Sequence, residues 1–372
     1  MKMENGVFQV IPSSVVSSCA SFPVLIHCPS APSVPSQVST LSSTSNLLHV
    51  SIERFEDETL QGPLQLLLAT TADRRLHFLA PDSSFTLVKS ISHLQDSPIL
   101  ACVPFGKEYL RTITSGMSGQ TVLYDHKQDR VLDQRRDHKK YVVKVAVCDE
   151  GWVATAGWDA KVYLYQIGSG TDTKLGEPVA SIDIATNPES ITFVRHPDLD
   201  RPVLLVTRRD STSLHYYSLP DVDVSRSETP SSVKLKLLGS QNLAPHSNAW
   251  IAFSPSSVAA SPTDPTLLAV ATSAVPHMKL IIVRLLIPSS TSPSTAADRG
   301  PETQAAQTRA NLAVRDREDT AILVHVSTLA PQTPYSTPQV VWRPDGSGVW
   351  VNGDDGVLRG LEAKTGKVVA TL

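Results

Sequence analysis

Residues 116–120 read GMSGQ, which begins like the Gly-x-Ser-x-Gly elbow that presents a nucleophilic serine. That elbow needs a second glycine and a strand-to-helix turn. Gln120 occupies the glycine place, and the flanking residues read as a hairpin, so Ser118 is not expected to be a nucleophile. Asp354-Asp355-Gly356 has the flavour of a calcium loop without the remaining ligands at their spacing, and a tight turn accounts for it. The 11 histidines include no i,i+4 pair suited to a metal, and no phosphate-binding loop, dinucleotide fingerprint or H-E-x-x-H is present. The four cysteines show no CxxC. Cys102 and Cys148 lie in the apolar runs ILACVPF and VVKVAVCDE, where buried free thiols are expected. No catalytic residue, metal or cofactor is therefore expected.

The densest basic run, DQRRDHKK at 133–140, offers Arg135, Arg136, Lys139 and Lys140 to a phosphate. Asp133 and Asp137 dilute it, so it reads as a solvated loop. With a net charge of −3, the chain lacks the basic surplus of a dedicated nucleic-acid or membrane-surface binder. No run approaches the ~18 apolar residues of a membrane helix. The first residues are too interrupted by Pro12 and serines to read as a signal peptide, and no N-x-S/T acceptor occurs. A cytoplasmic or nuclear location is the expectation.

The elements that position these residues are short. The 27 prolines and the abundant Ser, Thr and Val favour many brief strands over long helices. A repeat runs through them: an apolar strand, a turn residue, and an aromatic or leucine six positions later. It is clearest as Asp159 with Tyr165 in GWVATAGWDAKVYLYQ. It recurs as Asp73 with Leu79, Ser118 with Tyr124, Asp210 with Tyr216 and Asp355 with Leu361, and TLLAVATSAVPHMKLIIVRLL adds a sixth unit. One such antiparallel sheet cannot bury both its faces, whereas several arranged radially cover one another. The spacing of the first anchors is near the ~40–45 residues of a four-stranded propeller blade.

The fold class expected is all-β, a propeller of four-stranded blades over residues 48–372. Its units are 48–92, 97–136, 138–185, 188–239, 246–328 and 338–372, with a flexible insert at 287–319. Residues 1–47 read as a partly disordered segment or a partial blade. GVFQVI and FPVLIHC within it are candidate strands of a seventh blade, which would close the ring.

The segment DHKKYVVKVAVCDEGWVATAGWDAKVYLYQ resembles the WD-repeat β-propeller family, and the likeness spans roughly residues 48–372. In that family a His, a Ser/Thr, an Asp and a Trp share a hydrogen-bond chain. The resemblance assigns these places to His138, Thr155, Asp159 and Tyr165, with Tyr165 replacing the usual Trp. It also gives His246 the family His place in its own blade. NLLHVSIERF, VTRRDSTSLHYYSLP and PYSTPQVVWRPDGSGVWVNGDDG further resemble fungal WD-repeat proteins that often carry a small helical dimerisation motif, LisH, upstream.

The family commonly docks proteins on the rim where the entering strands begin. The residue before each turn residue should face that rim, which nominates Trp158, Arg209, Met117 and Asp354, together with Tyr141 at the start of Trp158's own blade. The expectation is a non-catalytic protein-interaction scaffold with protein partners. An enzyme using the central funnel is the alternative, with Lys144, Arg195 and His196 as the polar residues of the innermost strands. A nucleic-acid adaptor ranks below both. An unclosed ring would expose strand edges and give a route to oligomers.

Overall fold

The computed structural model describes residues 2–4, 7–10, 39–42, 46–55, 64–80, 85–106, 111–168, 173–220, 233–246, 253–287 and 304–372. Strands β1 (Lys2–Glu4), β2 (Val7–Val10) and β3 (Ser39–Ser42) form a three-stranded antiparallel sheet. The candidate strand FPVLIHC lies outside the described residues.

Six four-stranded antiparallel blades follow. Blade 1 holds β4 (Leu47–Phe55), β5 (Leu64–Thr71), β6 (Arg75–Leu79) and β7 (Leu87–Ser92). Blade 2 holds β8 (Ile99–Phe105), β9 (Arg111–Gly116), β10 (Thr121–Asp125) and β11 (Arg130–Arg135). Blade 3 holds β12 (Val142–Val147), β13 (Trp152–Gly157), β14 (Lys161–Gln166) and β15 (Ala180–Asp183). Blade 4 holds β16 (Pro188–Val194), β17 (Val203–Arg208) and β18 (Ser213–Ser218), then β20 (Leu237–Asn242). The intervening β19 (Val233–Lys234) pairs in parallel with β15 and widens blade 3. Blade 5 holds β21 (Pro255–Ala260), β22 (Leu267–Thr272), β23 (His277–Arg284) and β24 (Ile322–Pro331). Blade 6 holds β25 (Val340–Trp342), β26 (Gly348–Asn352), β27 (Leu358–Glu362) and β28 (Val368–Thr371).

Burial follows strand position within each blade. The second strands β9 and β13 are buried at every residue, because neighbouring sheets cover both their faces. β13 reads accordingly as an unbroken run of apolar and small residues after Trp152, whereas β9 is largely polar and pairs its buried Arg111 with Asp125. The outermost strands β7 and β28 alternate exposed with half-buried residues.

Five apolar clusters each join two successive blades. Leu68 and Phe78 of blade 1 meet Ile99 and Tyr124 of blade 2. Ile113 and Leu123 of blade 2 meet Val153 and Tyr165 of blade 3. Leu164 and Val162 meet Leu204 and Val206 of blade 4, Leu205 and Tyr216 meet Val270 and Ile281 of blade 5, and Leu280 and Ile282 meet Trp342 and Val349 of blade 6.

Polar contacts stitch the inner strands in the same sense. Thr70 Oγ1 donates to Ile99 O at 3.0 Å, Thr207 Oγ1 to Pro255 O at 2.7 Å, and Trp342 Nε1 to Ala259 O at 2.9 Å. Five of the six innermost strands carry a register shift after their first pair, at Leu47/His49, Ile99/Ala101, Val142/Lys144, Pro188/Ser190 and Pro255/Ser257. A bulge bends and twists a strand, so this shared irregularity shapes the same end of each blade.

The segment expected as a flexible insert contains regular structure. Helix α1 (Gln304–Ala321) occupies its later part, between β23 and β24, while 288–303 lie outside the described residues. The Pro and Ser of the insert are concentrated before position 302. QAAQTRANLAVRDREDTA is free of Pro and Gly and dominated by strong helix formers. The helix is held at its last turn, where the buried Glu318 carboxylate accepts the Asn242 N–H at 2.8 Å and Ala321 joins the cluster of blades 4 and 5.

Leu205→Ala, at a fully buried position between blades 4 and 5, is expected to cost about 2–5 kcal/mol. Val369→Ala on the exposed outermost strand should stay within about 0.5 kcal/mol of wild type. Denaturant melts of both variants check the pair.

Candidate functional site

One hydrogen bond recurs at one end of the ring. In each of the first five blades, the hairpin joining the second and third strands donates an N–H to the carbonyl just ahead of the innermost strand. The pairs are Ala72 to Asn46 at 2.8 Å, Met117 to Pro98 at 3.1 Å, Trp158 to Tyr141 at 2.9 Å, Arg209 to Asn187 at 2.8 Å and Ser273 to Ser254 at 3.0 Å. These bonds tie hairpins to crossovers along the rim of the first five blades. Met117, Trp158 and Arg209 therefore occupy equivalent places, as their position before the turn residue implies.

Asp354 does not share that place. Its N–H donates to Pro331 O, and its carboxylate accepts from Thr333 N at 3.2 Å and from the Ser336 hydroxyl. Asp354 is thus occupied in folding the 333–336 turn. The side chain that this turn presents is Tyr335, which is 92% exposed. Leu329 and Val275 are also exposed and lie close by in the chain path, where Gln332 N donates to Pro276 O at 2.8 Å. Reading one residue back from each turn missed Tyr335. The aromatic in the loop PQTPYSTPQ, flanked by prolines, was the available signal.

Blade 3 assembles the four residues of the expected polar chain. His138 Nδ1 donates to Asp159 Oδ1 at 2.9 Å, since an ionised carboxylate only accepts, and His138 Nε2 lies 2.9 Å from Thr155 Oγ1. Thr155 is also hydrogen-bonded to Tyr165. The Tyr165 hydroxyl donates to Asp137 Oδ2 at 3.0 Å, and Asp137 is paired with Arg135. The phenol thus extends the chain to Asp137. Burial, reinforced by the Asp137 charge, raises the Tyr165 pKa far above its ordinary value.

Asp159 Oδ2 also accepts the Lys139 N–H at 2.9 Å. Burial alone would raise the Asp159 pKa, but the hydrogen bonds from His138 and Lys139 outweigh it and hold the carboxyl below its usual value. Gly157 completes the arrangement. A Cβ there would stand 2.5 Å from His138 Nδ1 and 2.7 Å from Asp159 Oδ1. The other blades close their turns differently: Asp73 accepts from Thr71 and pairs with Arg75, and Asp355 pairs with Arg359 at 2.6 Å. His246 does not take the expected place in its blade. It is half exposed, and its nearest acid is Asp319 on helix α1 at 3.9 Å.

The result on the surface is an aromatic pair. The rings of Tyr141 and Trp158 lie 5.3 Å apart at 31°, and each side chain is about two-fifths exposed (40% and 41%). Arg209 lies on the next blade and turns its guanidinium to Glu189 at 2.7 Å, so it pairs within its own blade. Met117 is half buried.

Lys144, Arg195 and His196 are not brought together. Lys144 is the third residue of β12, near the rim, whereas Arg195 and His196 follow β16 at its far end, where Arg195 pairs with Glu150 at 2.6 Å. Among the described residues no group of His, Cys, Asp and Glu could hold a metal ion, and no helix is long and apolar enough to cross a membrane.

Residues 52–370 match the family model described as UCP007778, beta-propeller domain. Among solved structures, the chain is similar to the crystal structure of Saccharomyces cerevisiae Sqt1, with a TM-score of 0.54 and 12% identity over 83% of this chain and 72% of that one. At that identity the likeness is one of fold. A sequence search of curated proteins gives no match.

Asp159→Asn is expected to lower stability by about 1–3 kcal/mol at neutral pH, through the charge-assisted bonds it weakens. A carboxyl whose folded pKa is depressed contributes stability above its unfolded pKa and loses it as pH falls through the folded value. Wild type should therefore lose stability below about pH 4 more steeply than Asp159→Asn. Gly157→Ala should destabilise comparably with the charges unchanged. Thermal melts across pH 3–7 read all three proteins.

Proposed function

Because the chain belongs to the β-propeller domain family matched over residues 52–370 and has a WD40-like architecture, we propose that it is a non-catalytic scaffold that docks protein partners on its rim. The observation that carries this reading is the Tyr141–Trp158 pair. Two stacked aromatic rings, each about two-fifths exposed, lie on a surface pinned by the hairpin-to-crossover bonds. Large aromatic side chains held rigid before binding dominate interface hot spots, because they bury much area and lose little rotamer freedom. Arg209 and Met117 on the neighbouring hairpins extend the same surface.

The buried Cys148, a free thiol among the described residues, fits a reducing compartment and supports a cytoplasmic or nuclear scaffold. The sequence likeness to fungal LisH and WD-repeat proteins points the same way, toward assemblies built around a propeller.

Affinity capture from host lysate tests the proposal, comparing wild type with Trp158→Asp and Tyr141→Ala after confirming that all melt alike. A discrete set of proteins lost from both variants is the expected result. Identical captures would remove the aromatic pair from the binding surface.

A further inference from the structure

Among the described residues a serine or threonine precedes proline at five places: Ser97, Ser254, Ser261, Thr333 and Thr337. Proline removes a backbone N–H and biases the residue before it toward extended backbone. Such a pair suits the cleft of a kinase that reads proline at the next position, where the hydroxyl must reach the γ-phosphate of ATP. Both residues must then be open to solvent.

The fold denies this to four of the five. Ser254 and Pro255 are both buried, and Ser261 is buried beside Pro262. Ser97 is half-buried, and its hydroxyl donates to Ser118 Oγ at 3.2 Å while accepting the Ser118 N–H at 2.9 Å. Thr337 is exposed, but Pro338 is buried. Asn352 also clamps the backbone around that pair, donating to Thr337 O at 3.2 Å and accepting the Gln339 N–H at 2.7 Å. Thr333 and Pro334 are exposed together, and they lead into the exposed Tyr335.

The contacts of Thr333 decide what a phosphate there would do. Its N–H is shared between Ser336 Oγ at 2.7 Å and Asp354 Oδ2 at 3.2 Å. The Ser336 proton goes to the Asp354 carboxylate, so the Thr333 hydroxyl is the donor across its 3.2 Å contact with Ser336 Oγ. The Tyr335 N–H donates back to Thr333 Oγ1 at 3.3 Å. A phosphate ester at Oγ1 has no proton to give, and it sets a charge of about −1.5 to −2 beside a carboxylate. No Lys or Arg side chain among the described residues bonds to this turn to offset it, and Arg359 is engaged by Asp355 at 2.6 Å.

We propose that Thr333 is a phosphate acceptor for a proline-directed protein kinase, and that its modification releases the 333–336 turn that presents Tyr335. The Thr333 oxygen attacks the γ-phosphorus of ATP as the bond from that phosphorus to the β–γ bridging oxygen breaks. The hydroxyl proton passes to the kinase's catalytic aspartate, and ADP leaves. The site stands independently of the scaffold reading above.

The test incubates the intact protein with magnesium ATP and a recombinant proline-directed kinase, following each site by mass spectrometry. A synthetic peptide spanning residues 329–341 gives the rates of Thr333 and Thr337 without the fold. Relative to those rates, Thr333 in the folded protein should be modified at least about tenfold faster than Thr337. Pro334→Ala should abolish the Thr333 signal. Chymotrypsin then reads the turn: cleavage after Tyr335 should be at least about tenfold faster in the phosphoprotein, because it tracks the opened population. Asp354→Asn should narrow that difference. Thr333 left unmodified in the folded protein overturns the acceptor site, and so does equal relative labelling of Thr337. A phosphoprotein cut no faster than the unmodified chain overturns the release of the turn.

Discussion

A four-stranded antiparallel sheet has two faces, and nothing within the sheet can cover either one. Every structural feature described above depends on the solution to that constraint, the stacking of each blade's face on the next. The five clusters joining successive blades turn six marginal sheets into one continuous stack. Because the second strands are covered on both sides, they hold position with little freedom. Hairpins attached to them inherit that rigidity at one end.

The rim then follows from local chemistry. The N–H of each hairpin finds the carbonyl ahead of the innermost strand, so turn and crossover move as one unit in five blades. Blade 3 adds the Asp159–His138–Thr155–Tyr165–Asp137 chain beneath its turn. A fully satisfied buried network of this kind fixes geometry more than it adds net stability. What it fixes is the backbone that carries Trp158 against Tyr141. Ordering cost is thereby met on folding rather than on binding, which favours contact with a partner.

Much of this was legible from the residues, and the parts that were not have physical reasons. Periodic turn anchors such as Asp159 and Asp210 reveal a blade because the hairpin demands a particular residue at a fixed offset. Trp158, Met117 and Arg209 were placed on the rim by that same offset. Asp354 failed the rule because its carboxylate serves the neighbouring turn, a contact between segments distant along the chain. Gly157 escaped notice because its importance lies in the space it leaves for His138 and Asp159, and no spacing pattern reports empty space. Helix α1 was averaged away when its Ala, Gln and Arg were read together with the Pro and Ser preceding them. Tyr335 follows no repeat and depends on the loop that displays it.

The central claim is that the aromatic pair at the start of blade 3 is where partners sit. The most direct measurement is site-specific photocrosslinking in the host cell, with p-benzoylphenylalanine at position 158 and, as a control, at exposed position 369 on the outermost strand of blade 6. The account predicts discrete heavier adducts from position 158 that are absent from position 369. Adducts equal at both positions, or none at 158 in a folded protein, would contradict it.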